Sequence, residues 1–236
     1  MTTPRRDFIS LLGAGGFAAA AGPVRLPDLD GGGDPYVKSE KWDMTWIKRI
    51  RGKARGVFDI AATESNGGWG RVTMWRDQAV EVYGRPADVS TVAVIRHAGI
   101  ALAMGDTYWA EFKPGQQGRG RGGNADSATP PPSTALRNPI GSPRPGATDA
   151  DKLNTIEGFI GAGGIVLACN LAFGRIIRPQ IGRSTQLTGD ALDKKAREYL
   201  IPGVILMPSG VFALVAAQQA RCGMCAALIP SATGAS

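Results

Sequence analysis

Three cysteines and one histidine hold most of the chemistry open to this chain of 236 residues. Cys169 ends the apolar run 164–169, which reads as a strand buried on both faces, and Asn170 opens the helical stretch after it. A thiol there faces the free N–H groups and positive end of the following helix. Both favour the thiolate, the form that attacks and holds sulfane sulfur. Arg175 and Arg178, within two turns, add positive potential. The competing reading is an inert thiol closing a core strand, because free cysteines are among the most buried residues. His97 follows another strand at the same end of the sheet. It could act as a general base or bind an anion, or it could only satisfy main-chain groups. Cys222 and Cys225 form a C-x-x-C, but the pair follows a helix instead of opening one, so no helix dipole activates it. Core packing, or a local disulfide after export, are the readings for that pair, with a redox role behind them. A zinc site needs about four ligands, so two cysteines and a distant histidine predict no metal.

The remaining candidates are polar residues beside predicted elements. Ser209 follows a strand, yet Pro208-Ser209-Gly210 lacks the nucleophile-elbow pattern, and an N-cap is the simpler role. Asp106 and Trp109, three residues apart on a predicted helix, could rim a crevice at the strand ends. They could equally be a capping residue and a core aromatic. Arg137 and Asn138 could close that crevice over an anion, or could anchor a long loop onto the domain.

These residues need elements to position them. Strands are expected at 57–62, 89–95, 164–169, 204–207 and, more briefly, 225–229. Helices are expected at 68–84, 100–112, 148–162, 188–200 and 210–221, with a further helical stretch from Asn170 that Pro179 interrupts. In the last helix, Val211, Leu214 and Val215 are expected on the core side. Alternating strands and helices predict an α/β three-layer sandwich with a mostly parallel central sheet of about five strands. In such sheets ligands sit beyond the carboxyl ends of the strands, so Arg96-His97, Cys169-Asn170 and Pro208-Ser209-Gly210 come first for function.

Composition sets the frame. With 33 Gly and 16 Pro, the chain is rich in breakers, but 43% hydrophobic residues suffice for a core. Seven Gly and seven Pro fall in 113–150, which reads as one long loop. At the start, Arg5 and Arg6 precede an uncharged, mildly apolar stretch ending in four alanines. Residues 1–21 therefore read as a twin-arginine export signal, 22–44 as a polar tether, 45–229 as the domain and 230–236 as a tail. The protein is expected in the periplasm, or otherwise exported, after using the twin-arginine machinery. Gly13-Ala14-Gly15-Gly16-Phe17-Ala18 matches a dinucleotide fingerprint, but it lies in the export segment with no strand before it, so no cofactor is expected. The net charge of +7 and the cluster Lys48, Arg49, Arg51, Lys53 and Arg55 lack interleaved aromatics. They read as solvated basic surface, not as a nucleic-acid site.

Gly164-Ile165-Val166-Leu167-Ala168-Cys169-Asn170, followed by Ile201-Pro202-Gly203-Val204-Ile205-Leu206-Met207-Pro208-Ser209-Gly210-Val211, resembles the second half of DsrE/DsrF-like proteins. Val57-Phe58-Asp59, Val94-Ile95-Arg96-His97, Asp106-Thr107-Tyr108-Trp109 and Arg137-Asn138-Pro139 resemble an exported subgroup of that family. The resemblance covers about 45–229. It implies a homo-oligomer of small three-layer domains and, in its best-understood members, a sulfur relay through a persulfide on a cysteine after a central strand. Cys169 matches that position, with a sulfur-donor or acceptor protein as partner. The family does not lead one to expect the pair Cys222 and Cys225. The alternative is a non-catalytic oligomeric module of the cell envelope, binding a small anion near His97, Arg137 and Asn138.

Overall fold

The structure is a computed structural model that describes residues 41–63, 68–114 and 136–226. The expected export signal, tether residues 22–40, the most Gly- and Pro-rich part of the 113–150 loop and the tail lie outside the described residues.

Five strands form one sheet: β1 (Ala54–Ile60), β2 (Val89–Ile95), β3 (Ile165–Cys169), β4 (Ile205–Met207) and β5 (Gly223–Ala226). Their order is β4-β3-β2-β1-β5, and every pairing is parallel. The expected α/β three-layer sandwich is therefore the fold. The helices are α1 (Trp69–Tyr83), α2 (Asp106–Phe112), α3 (Asp149–Leu153), α4 (Ile156–Gly161), α5 (170–185), α6 (Gly189–Glu198) and α7 (Gly210–Gln219).

The layers follow from the strand order. From β1 to β4 each step moves the same way across the sheet, and right-handed crossovers put the intervening helices on one face. That face packs Phe58, Ile95 and Val166 under Trp69, Phe159 and Phe173. The step from β4 to β5 runs back past β1, so α7 covers the other face. There Val57, Val94 and Leu167 meet Leu214 and Ala217, with Met44 and Trp46 beside them.

Several boundaries differ from those expected. β1 begins at Ala54, because Ala54 to Gly56 already pair with Val89 to Thr91. Arg55 disguises this start, and its side chain turns back to the Gly52 and Ala220 carbonyls. The expected helix 100–112 is instead a 3-10 segment, His97–Ala103, followed by α2. Ala103 to Gly105 are pulled out of the helix by bonds to Tyr199 and Ile201. The expected helix 148–162 is two helices, because Thr148 and Thr155 each cap a separate one. Leu153 is exposed as a result, while Ile156 is buried. Pro179 does not interrupt α5. A π-type turn, Phe173–Ile177, widens the helix just ahead of it and accommodates the missing N–H and the ring. Met44, expected in the tether, is buried in the core.

In α7 the expected core side holds for Leu214 but not for Val211 and Val215. Ala213, Leu214, Ala216 and Ala217 are buried, whereas Val211 and Val215 are 65% and 47% exposed. The helix is apolar nearly all round, so its spacing does not select a stripe. The small alanines win because they let the helix lie close to a valine-rich sheet.

Candidate functional site

The chain leaves β3 toward one face of the sheet, through α5, and leaves the neighbouring β4 toward the other, through α7. Adjacent strands whose connections diverge open a crevice at their carboxyl ends, where α/β sheets bind ligands. Cys169 and Asn170 stand at the end of one of these strands, and Pro208, Ser209 and Gly210 follow the other.

Cys169 acts as the N-cap of α5. Its Sγ accepts the Ala172 N–H at 3.4 Å, and the residue is 7% exposed. Across the crevice, Ser209 Oγ accepts the Phe212 N–H at 3.0 Å and caps α7, the expected role. Asn170 Oδ1 accepts from Arg178 at 3.1 Å. Arg178 also pairs with Asp193 and lies over the Phe173 ring, so α6 and the start of α5 are tied together. Arg175 is exposed.

Next to Cys169, Arg96, one of the strand-end residues put first for function, pairs with Asp59, to which the sequence assigned no role. Arg96, just past β2, makes two parallel hydrogen bonds to Asp59 near the end of β1, at 2.6 and 2.5 Å. Hydrogen bonding to Asp59 raises the Arg96 pKa, against the effect of burial, and the Asp59 charge raises it further. The Arg96 stem lies over the start of α7, because Gly210 has no side chain. A Cβ there would stand 2.7 Å from Arg96 Cβ. The available signal was a lone carboxylate inside an apolar strand, with an arginine ending the strand beside it.

His97 follows Arg96 with a left-handed backbone, φ 49°, and is exposed. The other predicted residues form a separate cluster. Asp106 lies in the first turn of α2, near its positive end, and accepts from Arg137 at 2.7 Å and from the Asn138 N–H at 3.1 Å. Asn138 is buried. Its amide donates to the Leu102 and Met104 carbonyls and accepts the Ile140 N–H. Trp109 is a core residue whose indole N–H meets the Ala101 carbonyl at 2.8 Å. These four anchor the end of the long loop, and their polar groups are turned to one another and to local main chain. Among the described residues no hydrogen bond joins His97 to Arg137 or Asn138.

Cys222 and Cys225 are both free thiols. Cys222 packs in the core under α7, whereas Cys225 is exposed on β5. Cys222 precedes β5 and Cys225 lies within it, and the structure holds no bond between the two sulfurs. Burial pushes the Cys222 thiol from 9.0 up to about 11, against the pull of Arg55. A thiol raised on folding contributes stability that is intact below its unfolded value and is lost as pH climbs through its folded value. The denaturation midpoint should therefore drop between pH 9 and about 11, by an equivalent of about 2 kcal/mol. Cys222→Ala should flatten that slope in chemical denaturation followed across alkaline pH. An unchanged slope would contradict the assignment.

No family model matches the chain, and no curated protein matches it. Among solved structures, the chain is similar to a protein of unknown function from Methanobacterium thermoautotrophicum. The identity is 14% and the TM-score 0.36, over 74% of this chain and 99% of the other.

Proposed function

We propose that this chain is an exported, homo-oligomeric sulfur-relay protein of the DsrE/DsrF-like kind, with Cys169 as the carrier. The observation that supports this best is the setting of the Cys169 sulfur. It sits at the topological switch point, accepts a main-chain N–H at the start of a helix, and has the Arg96 guanidinium near it. A persulfide carried on this sulfur would meet a main-chain donor and a nearby cation. Arg5 and Arg6 before the apolar stretch support export to the periplasm. The exposed Val211, Phe212 and Val215 of α7 support self-association.

The relay is a pair of displacements. The Cys169 thiolate attacks the terminal sulfur of a donor persulfide, the donor's S–S bond breaks, and the donor leaves as a thiolate. Cys169 then carries the persulfide. An acceptor thiolate attacks the same outer sulfur and frees Cys169. One S–S bond forms as another breaks in each step, so no outside oxidant or reductant is needed.

The test is mass analysis of the purified mature chain after incubation with glutathione persulfide. The peptide containing Cys169 should gain one sulfur mass and lose it again to an added thiol acceptor. A chain that gains no sulfur at Cys169 overturns the relay and leaves the non-catalytic anion-binding module as the reading.

A further inference from the structure

One cavity lies at the opposite end of the strands from Cys169. It encloses about 570 Å³ at the amino ends of β2 and β3, between α1 and the turn after α4. Its distance from the Cys169 end of β3 is roughly 13 Å, from the rise of extended chain. Cavities of this size are typical of small-molecule sites.

Two kinds of surface meet inside it. Val80, Phe159 and Ile165 supply apolar wall. Arg49 and Arg51 come from the segment leading into β1, and Arg76 from α1. Each guanidinium is held by main-chain carbonyls. Arg49 donates to the Gly164 carbonyl at 3.0 Å, Arg51 Nε to the Lys48 carbonyl at 3.1 Å, and Arg76 to the Leu153 carbonyl at 2.8 Å. Ser90 further fixes Arg51 by accepting its main-chain N–H at 2.8 Å. Carbonyls orient a guanidinium without neutralising it. The one carboxylate lining the cavity, Asp77, pairs with Arg76, whose side chain is only 14% exposed. Among the described residues no carboxylate pairs with Arg49 or Arg51. The cavity thus sets two exposed, carbonyl-held arginines beside an apolar wall.

We propose that this cavity binds a small organic anion, an aromatic or branched apolar body carrying one acidic group. The apolar wall buries the body, and the forks of Arg49 and Arg51 take the acidic head through paired N–H···O bonds. The site is independent of the relay, since it shares no residue with the carboxyl edge.

The probe for the test is anilinonaphthalene sulfonate, read by fluorescence on the mature chain. It should bind one saturable site. The double variant Arg49→Gln, Arg51→Gln should weaken binding about tenfold or more, the effect expected for losing charged hydrogen bonds. Cys169→Ser should leave it unchanged. On the unaltered protein, naphthoate or naphthyl phosphate should displace the probe, and the stronger of the two identifies the preferred head group. Neutral naphthol should not. Displacement by naphthol as strong as by the two anions overturns the proposal, as does undiminished binding in a folded double variant. The competition needs no variant, so it decides the matter even where the double substitution folds poorly.

Discussion

Exchange of Cys169 for serine should abolish sulfur loading while leaving the fold in place. Serine is nearly the same shape and is a preferred N-cap, so its hydroxyl can take over the Ala172 N–H that Sγ accepts at 3.4 Å. Chemical denaturation should move by less than about 1 kcal/mol, the scale of an exchanged cap. Mass analysis after persulfide treatment should show no added sulfur on the variant. Cys222→Ser and Cys225→Ser should load as the parent does. A sharper variant is Ala172→Pro. The Ala172 N–H lies in the first turn of α5, where no intrahelical acceptor exists, so proline removes the bond to sulfur and no helix bond, although its ring also restricts Leu171. Alkylation of Cys169 by iodoacetamide at neutral pH should slow several-fold, about the loss of one hydrogen bond to a charged group. Alkylation at the parental rate would mean that the helix start does nothing for the thiolate.

Exchange of Asp59 for alanine should be the most destabilising single change near the site. Asp59 is 8% exposed and holds Arg96 through two short bonds. Removing it leaves a guanidinium with no counter-charge beside the sheet, a change that costs about 3–5 kcal/mol when fully buried. The Arg96 side chain is 23% exposed, which allows some rehydration, so about 3 kcal/mol is expected. The double exchange Asp59→Leu, Arg96→Met should recover much of the loss, because two apolar side chains leave no orphaned charge. A double-mutant cycle in denaturant measures this. Two single losses that simply add would show that the pair is not coupled. The pair also acts on the site, since the Arg96 stem rests on Gly210 where α7 begins. Asp59→Ala should therefore loosen the α7 start as well, seen as faster amide exchange at Val211 and Phe212.

Much of the scaffold was legible from residue types. The run 89–95 matched β2 residue for residue, because β-branched side chains on both faces can only fit a buried parallel strand. Cys169 fell at the end of β3 for the same reason. Ser209 was recognisable as a cap by its place between a strand and an apolar helix. Elements failed where tertiary bonds override local periodicity. A continuous pattern at 100–112 was cut at Met104 by pairing with Leu200, nearly a hundred positions away in sequence. The pattern at 148–162 was cut by a second capping threonine, whose preference the apolar spacing concealed.

The sequence by itself determined an alternating α/β chain, a parallel sheet of five strands, and a cysteine at the carboxyl end of a buried strand. These depend on side-chain period, β-branching and breaker positions, which are local. Only the tertiary structure decided which strands are neighbours. That order placed the switch point between β3 and β4, joined Asp59 to Arg96 beside Cys169, and drew Asp106, Trp109, Arg137 and Asn138 into a separate anchor. It also gathered Arg49, Arg51 and Arg76 around a cavity at the other end of the strands, where the sequence showed only a basic surface. Charge along a chain says how many cations there are. Whether they converge on a cavity depends on long-range packing, which no local pattern encodes.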